Sequence, residues 1–173
     1  MSEGGGALGA LEASGLGQAM RQWMWLYPAV ETVHIVGIGL LFGSIAILDL
    51  RLLGFSRNIS VKRLAGHVLP WTAASFLLIV PSGLMMFTAH ATDFISSPVF
   101  VTKICLILTG GLNAALFHAV VLPRAEAWDS AEMRAEMRDE TRKLPPLSAR
   151  LAGAASLLIW IAVIACGRLL AYF

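Results

Sequence analysis

The chain has 173 residues, of which 57% are apolar and only 14% charged, and its mean hydropathy is +0.74. Soluble domains average about 45–50% apolar and about 25% charged residues, so this composition is typical of a protein that lies in lipid. The net charge of +2 excludes a basic nucleic-acid-binding module, and two cysteines exclude a disulfide scaffold.

Four apolar stretches are long enough to cross a bilayer as helices, which takes about 20 residues each. They cover approximately residues 28–48, 67–87, 99–121 and 147–170. The short connections between them favour antiparallel neighbours. We therefore predict an all-α, membrane-embedded, up-down-up-down four-helix bundle that forms one domain over residues 28–170.

Two further helices are predicted outside the spans. Residues 1–27 form a tail with an interfacial helix that ends in Trp23, Trp25 and Tyr27, because aromatic side chains prefer the membrane surface. The charged segment Ala125–Lys143 predicts a separate surface helix on the cytoplasmic side, capped by Asp129 or Ser130.

The distribution of positive charge predicts the orientation. Ten of the thirteen Lys and Arg residues lie on the first and third connections or at their ends, between Arg51 and Arg63 and between Arg124 and Arg150. Positive residues mark the cytoplasmic side of a membrane protein. We therefore expect both of these connections inside and both chain termini outside.

All four histidines lie in or at the ends of the predicted spans: His34, His67, His90 and His118. Ionisable residues in a bilayer are costly and usually face the bundle interior. Counting rise per residue places His67 and His118 at similar depth near the inner face, with His34 and His90 nearer the outer face. Haem iron takes axial imidazoles within apolar walls, so His67 and His118 form the stronger ligand pair and His34 and His90 a weaker one. The pattern thus predicts one haem b or two, unless the four histidines are unrelated and reach water or other partners.

Two more pairs of charged residues lie near the inner and outer faces, at depths similar to those of the histidines. Glu31 and Lys103 lie near the outer ends and either form an ion pair or leave Lys103 facing an anionic substrate or a propionate. Asp49 and Arg51 end the first span inside and either form an interfacial pair or steer a propionate or a proton near His67 and His118.

Three segments carry a family resemblance: ETVHIVGIGLLFGSIAILDLRLLG from Glu31, HVLPW from His67 and KICLILTGGLNAALFH from Lys103. Together they resemble a family of small, uncharacterised four-span integral membrane proteins of bacteria. The similarity extends from Trp25 to Leu170. It implies a multi-pass protein of the bacterial inner membrane, and it implies no reaction.

A looser similarity is to small b-haem membrane proteins, including the bacterial membrane protoporphyrinogen oxidase and the copper-resistance membrane proteins. Those families place a histidine on the first helix before a glycine-rich stretch, as His34 precedes Gly37, Gly39 and Gly43 here. The oxidase family also has a lysine that opens a later helix, in the position of Lys103. The resemblance implies kinship with haem bundles rather than a particular substrate.

The leading functional hypothesis is a b-type haem-binding membrane protein in electron transfer or membrane redox chemistry, with His67, His118, His34, His90, Lys103 and Arg51 around the cofactor. Such a protein needs a redox partner in the membrane or the periplasm. One alternative is a structural or assembly subunit of a homo- or hetero-oligomeric complex. Another is a copper-handling protein that uses Met85, Met86, His90 and His34, because thioether and imidazole ligands suit Cu(I). No motif decides whether the chain is an enzyme.

The charge distribution makes a direct prediction of topology. In a variant that lacks Cys105 and Cys166, a cysteine at Ser130 should resist impermeant thiol reagents in intact cells. A cysteine placed within residues 92–97 should react. Labelling in the reverse pattern would contradict the orientation.

Overall fold

The computed structural model describes residues 6–137, 144–170 and 172. The described chain is helical, and its α-helices are, in order, α1 (Gly6–Glu12), α2 (Gly15–Gln22), α3 (Leu26–Leu53), α4 (Val61–Ala89), α5 (Ala91–Ser96), α6 (Pro98–Leu116), α7 (Ala125–Met137) and α8 (Leu147–Leu169). Four of these, α3, α4, α6 and α8, are long and apolar enough to cross a membrane. The predicted all-α four-helix bundle is confirmed.

The bundle is an open ring rather than a closed one. Helix α3 packs along α4 on one side and along α8 on the other, and α8 packs along α6. Among the described residues, α4 and α6 share no comparable interface. Many large apolar side chains point outward, such as Leu77 and Leu158 at 77% and 69% exposure, as expected of a surface in contact with lipid.

Two of the spans are longer than predicted because capping, rather than hydropathy, sets their ends. Helix α4 begins at Val61, where the Ser60 side chain accepts from the Arg63 backbone N–H. Helix α3 ends at Leu53 and is capped by Gly54, which adopts a φ of 106°, a left-handed conformation that suits glycine. The connection between α3 and α4 is therefore only seven residues long, 54–60, and it lies at what we call the basic end of the bundle.

The amino-terminal segment forms two helices instead of one interfacial helix. Ser14 separates them, and its side chain accepts from the Gly17 N–H at 3.1 Å as the cap of α2. Helix α2 lies against the last turn of α4, so closely that a Cβ on Gly17 would stand 2.8 Å from the Thr88 carbonyl oxygen. Met20 is thereby buried, while Trp23 and Trp25 are 65% and 78% exposed, a position suited to the membrane surface.

The charged helix at the basic end continues α6 instead of being separate from it. One turn of π-helix, Phe117–Val121, and a short 3-10 turn, Leu122–Arg124, connect α6 to α7. Asp129 therefore lies inside α7, and the prediction that it or Ser130 caps this helix is wrong. The predicted end of the helix, over residues 138–143, lies outside the described residues.

Asp129 joins three elements at the basic end. Its carboxylate accepts from the Val61 backbone N–H at 2.8 Å and from the Ser60 hydroxyl at 2.9 Å, so it caps α4 rather than its own helix. It also accepts from the Arg51 guanidinium at 3.1 Å. Arg51 is 2% exposed, donates to the Ile59 carbonyl and lies over the Trp128 ring. The predicted Asp49–Arg51 pair is therefore replaced by a buried Arg51–Asp129 pair, which we call the basic-end lock.

The lock makes a prediction about stability. Removing one partner of a buried, hydrogen-bonded ion pair leaves an uncompensated charge, so Asp129→Ala should lower the free energy of unfolding by about 3–5 kcal/mol. The exposed pair between Lys62 and Glu126 connects the same two helices, with side chains 59% and 67% exposed. Glu126→Gln is thus a matched control that should cost about 1 kcal/mol or less. Thermal unfolding in detergent micelles measures both, and equal effects would contradict a special role for Asp129.

A second long-range contact docks α1 on the opposite end of the bundle. The Thr92 backbone N–H donates to Glu12 Oε1 at 2.7 Å, at the start of α5. This hydrogen bond holds the pKa of Glu12 below its ordinary value of 4.5. A depressed carboxyl pKa stabilises the folded contact above pH 4.5, and the stabilisation is lost as the pH falls through the lower folded-state pKa.

The amide proton of Thr92 should report this titration directly. Its NMR chemical shift, measured in micelles, should follow a titration with a midpoint below 4.5, the ordinary value for Glu12. Glu12→Gln should abolish the titration, whereas Asp93→Asn, which removes the neighbouring exposed carboxylate, should leave it in place. A midpoint at or above the ordinary value would contradict the contact.

Candidate functional site

The gap between α4 and α6 is a cleft of about 470 Å³. This volume lies within the range of about 300–1,000 Å³ that is usual for small-molecule and cofactor sites. All four spans contribute to its mostly apolar lining, which includes Leu41 and Ile45 of α3, Gly110 and Gly111 of α6 and Trp160 of α8. Phe76 and Leu108 also line it and are 40% and 69% exposed, so the mouth of the cleft opens towards lipid.

The helices on either side of the cleft are joined to each other at both ends of the bundle. At the basic end, α7 packs on α4 and the basic-end lock holds it there. At the other end, α5 bridges α4 and α6, and the rings of Phe87, Phe94 and Phe100 stack with centroids 5.4 to 6.2 Å apart. The cleft is therefore accessible from its side, and a ligand that dissolves in the bilayer fits this geometry.

A few polar side chains interrupt the apolar lining, all in the half of the cleft towards the basic end. Asp49 of α3 is 4% exposed, and Ser156 of α8 lies beside its carboxyl group and lines the same cleft. Asn113 of α6 donates to the Ala152 carbonyl at 3.1 Å, which ties α6 to α8. Thr72 of α4 donates to the Val68 carbonyl of its own helix. A small number of fixed polar groups in an apolar cleft is the usual pattern of a ligand site.

His118 is the one histidine among the residues that line the cleft. It lies in the π-helical turn, a feature found frequently at functional sites. Its Nδ1 lies 2.8 Å from the Ala114 carbonyl oxygen. A carbonyl can only accept, so in the neutral imidazole Nδ1 carries the proton and Nε2 has the lone pair. Histidines that ligate metals are usually oriented in this way.

His67 makes the same local contact but does not line the cleft. Its Nδ1 lies 2.9 Å from the Arg63 carbonyl oxygen. The cleft side of α4 is formed by Leu69, Thr72 and Phe76. At 3.6 residues per turn, His67 is about 140–200° around the helix from these three residues. The structure thus places the two predicted partners near the same end of the bundle without bringing His67 and His118 together at this cleft.

His34 lies between α3 and α4. Its Nδ1 is 3.1 Å from the Ile79 carbonyl oxygen and 2.9 Å from Ser82 Oγ. Pro81 lies inside α4 and disrupts the local backbone hydrogen bonding, and such breaks are tolerated in spans where a neighbouring helix supplies partners. The absence of a side chain at Gly83 leaves room for the imidazole ring, because a Cβ there would stand 3.1 Å from His34 Cε1. These contacts show His34 joining two helices at a proline.

At the end of the bundle opposite the basic end, the remaining predicted residues lie apart from one another. His90 ends α4, is exposed and has Nδ1 3.7 Å from Asp93. It follows Ser82, the partner of His34, by eight residues or about 12 Å of helix, so His34 and His90 are not brought together. Lys103 Nζ lies 3.6 Å from the position of a Cβ on Gly167 of α8.

Two outcomes correct or refine the other sequence predictions. Glu31 is exposed and makes no ion pair with Lys103 among the described residues, so the ion-pair alternative is wrong. Met85 and Met86 pack against the apolar cluster of Met20, Val30 and Ala89. This is the usual role of methionine as an adaptable apolar side chain.

Ser156 is the site residue that sequence reasoning missed. It belongs to a buried stripe on α8 with Ala149 and Gly153, small residues three and four positions apart. That spacing marks one face of a helix and a close helix contact. It was visible in the sequence, but the spacing alone does not reveal that Ser156 meets the carboxyl group of Asp49.

A search of curated proteins and a search of solved structures found no match. A family model described as a family of unknown function, DUF6644, matches residues 9–173. Because that match covers nearly the whole sequence, from α1 through all four spans, the chain belongs to the DUF6644 family.

Proposed function

We propose that this protein binds haem b in the cleft between α4 and α6 and serves in electron transfer or membrane redox chemistry. The observation that carries the proposal is His118, whose Nε2 lone pair is left available in an apolar cleft of about 470 Å³. Bound haem would supply one-electron chemistry, with a potential that depends on its axial ligand and surroundings.

The residues of the cleft fit a flat macrocycle. Gly110, Gly111, Ala114 and Ala152 give part of its wall little side-chain bulk, and Leu41, Phe76 and Trp160 offer apolar surfaces. A Cβ on Gly111 would meet nothing within 4 Å, so open space lies in front of it. In this arrangement His118 would hold the iron, the apolar side chains would exclude water, and the Ala114 carbonyl would fix the imidazole tautomer.

The proposal includes a location. We place the protein in the bacterial inner membrane with the basic end in the cytoplasm, because Arg and Lys concentrate at that end. The basic-end lock and α7 would then face the cytoplasm, with α1, α2 and α5 on the other side. A redox partner in the membrane would approach the side of the bundle on which the cleft opens.

Haem content of purified variants tests the ligand. His118→Ala should lower haem affinity at least about tenfold, because even indirect partners of a ligand contribute that much. His67→Ala is the matched control: His67 has the same bond to a backbone carbonyl four residues earlier and is similarly exposed, yet lies outside the cleft. It should retain the Soret band and the reduced-minus-oxidised spectrum of the unmodified protein.

A second pair of variants tests the cleft itself. Gly111→Leu should fill the cleft and reduce haem binding, whereas Gly39→Leu, at another glycine with open space before it, should not. Loss of haem in both His67→Ala and His118→Ala would favour their pairing and contradict a site confined to this cleft. Loss in His34→Ala alone would assign the ligand to the first span.

A further inference from the structure

Asp49 is a carboxylic acid in an unusual position. It lies in α3, four residues before the helix ends, and lines the cleft with only 4% of its surface exposed. Its Oδ2 has no hydrogen-bond partner among the described residues. Buried polar atoms nearly always have partners, and an ionisable residue inside a membrane protein usually marks a functional site.

Asp49 has no ion-pair partner among the residues that the structure describes. Arg51 is on the same helix, but residues two apart point about 200° from each other, and its guanidinium reaches Asp129 and the Ile59 carbonyl. The groups that face the cleft from the other spans are Ser156 on α8, Thr72 on α4, and Asn113 and His118 on α6. None of these is permanently charged, and no cationic side chain forms an ion pair with Asp49 in the described part of the chain.

An ionised carboxylate in such a site is strongly disfavoured, so the neutral acid is the stable form. A neutral carboxylic acid has one O–H donor, and Asp49 can direct it into the cleft through the oxygen that lacks a partner. We propose that Asp49 is protonated and donates a hydrogen bond to an acceptor oxygen of the molecule that occupies the cleft.

The chemistry of the occupant follows from this role. An acceptor oxygen can come from a propionate of haem or from the carbonyl of a lipid-soluble quinone, and the lateral mouth of the cleft admits either. A metal cation is disfavoured, because the described residues contain no group of three His, Cys, Asp or Glu side chains able to hold one. The inference rests on the cleft of the proposed function, but not on haem as its occupant.

A hydrophobic carbodiimide provides the test, since it reacts with protonated carboxyl groups from within the bilayer. The full-length protein is stripped of ligands, reconstituted in vesicles of neutral lipid and treated at pH 7, and modified peptides are identified by mass spectrometry. Asp49 should be modified, and Asp49→Asn should lose that modification. Modification of Glu31 without modification of Asp49 would overturn the proposal, because Glu31 is the exposed carboxyl of the same helix.

Protection then identifies the occupant. Prior addition of haem or of a short-chain quinone should protect Asp49 from the carbodiimide. Protection by haem supports a haem propionate as the acceptor of the Asp49 hydrogen bond. Protection by the quinone alone keeps the donor role of Asp49 but contradicts the proposed function. Protection by neither would overturn the inference.

Affinities separate a donor from a merely packed side chain. Asp49→Leu should lower the affinity for the protecting ligand by up to about tenfold, which corresponds to the loss of one hydrogen bond. Asp49→Asn, which keeps a neutral donor of similar size, should stay within about twofold of the unmodified protein. Equal weakening by Leu and Asn would overturn a donor role.

Discussion

The shape of the bundle depends on one carboxylate at its basic end. Asp129 of α7 caps α4 through the Val61 N–H and pairs with Arg51 of α3, which is almost completely buried. Because α7 continues directly from α6, this contact also holds the basic end of α6 to α4. The stacked phenylalanines of α4, α5 and α6 hold the other end. Between these two fixed ends, α4 and α6 separate, and the cleft is the result.

The cleft combines a lateral opening with polar groups at one end. Apolar ligands partition into the bilayer, so under the proposed function a mouth flanked by Phe76 and Leu108 would draw from a concentrated pool. Inside the cleft, the low dielectric strengthens each hydrogen bond and makes an unpaired polar atom costly. In the proposed arrangement, His118 offers a lone pair and Asp49 a donor proton to the occupant of the cleft. A ligand that supplies an electrophilic metal and an acceptor oxygen satisfies both.

The histidines in this bundle differ in where they lie relative to the cleft. His34, His67 and His118 all have Nδ1 near a backbone carbonyl oxygen, which fixes the same tautomer in each. His34 stands in a helix interface next to a proline, and His67 is on the side of α4 away from the cleft. Only His118 of these three lines the cleft. His67 and His118 lie at similar depth along the membrane normal, but His67 is on the side of α4 that faces away from the cleft.

The four spans and the all-α bundle followed from the sequence alone, because a bilayer requires about 20 apolar residues and internally satisfied backbone groups. Residue spacing also located the ionisable residues near each end of the bundle. The sequence alone did not reveal which charged side chains pair. Arg51 lies two residues from Asp49 yet pairs with Asp129, 78 positions away. Such choices depend on helix rotation and on which helices pack together. The cleft likewise arises from an absent α4–α6 interface in the described chain, a property of the tertiary arrangement that no local pattern encodes.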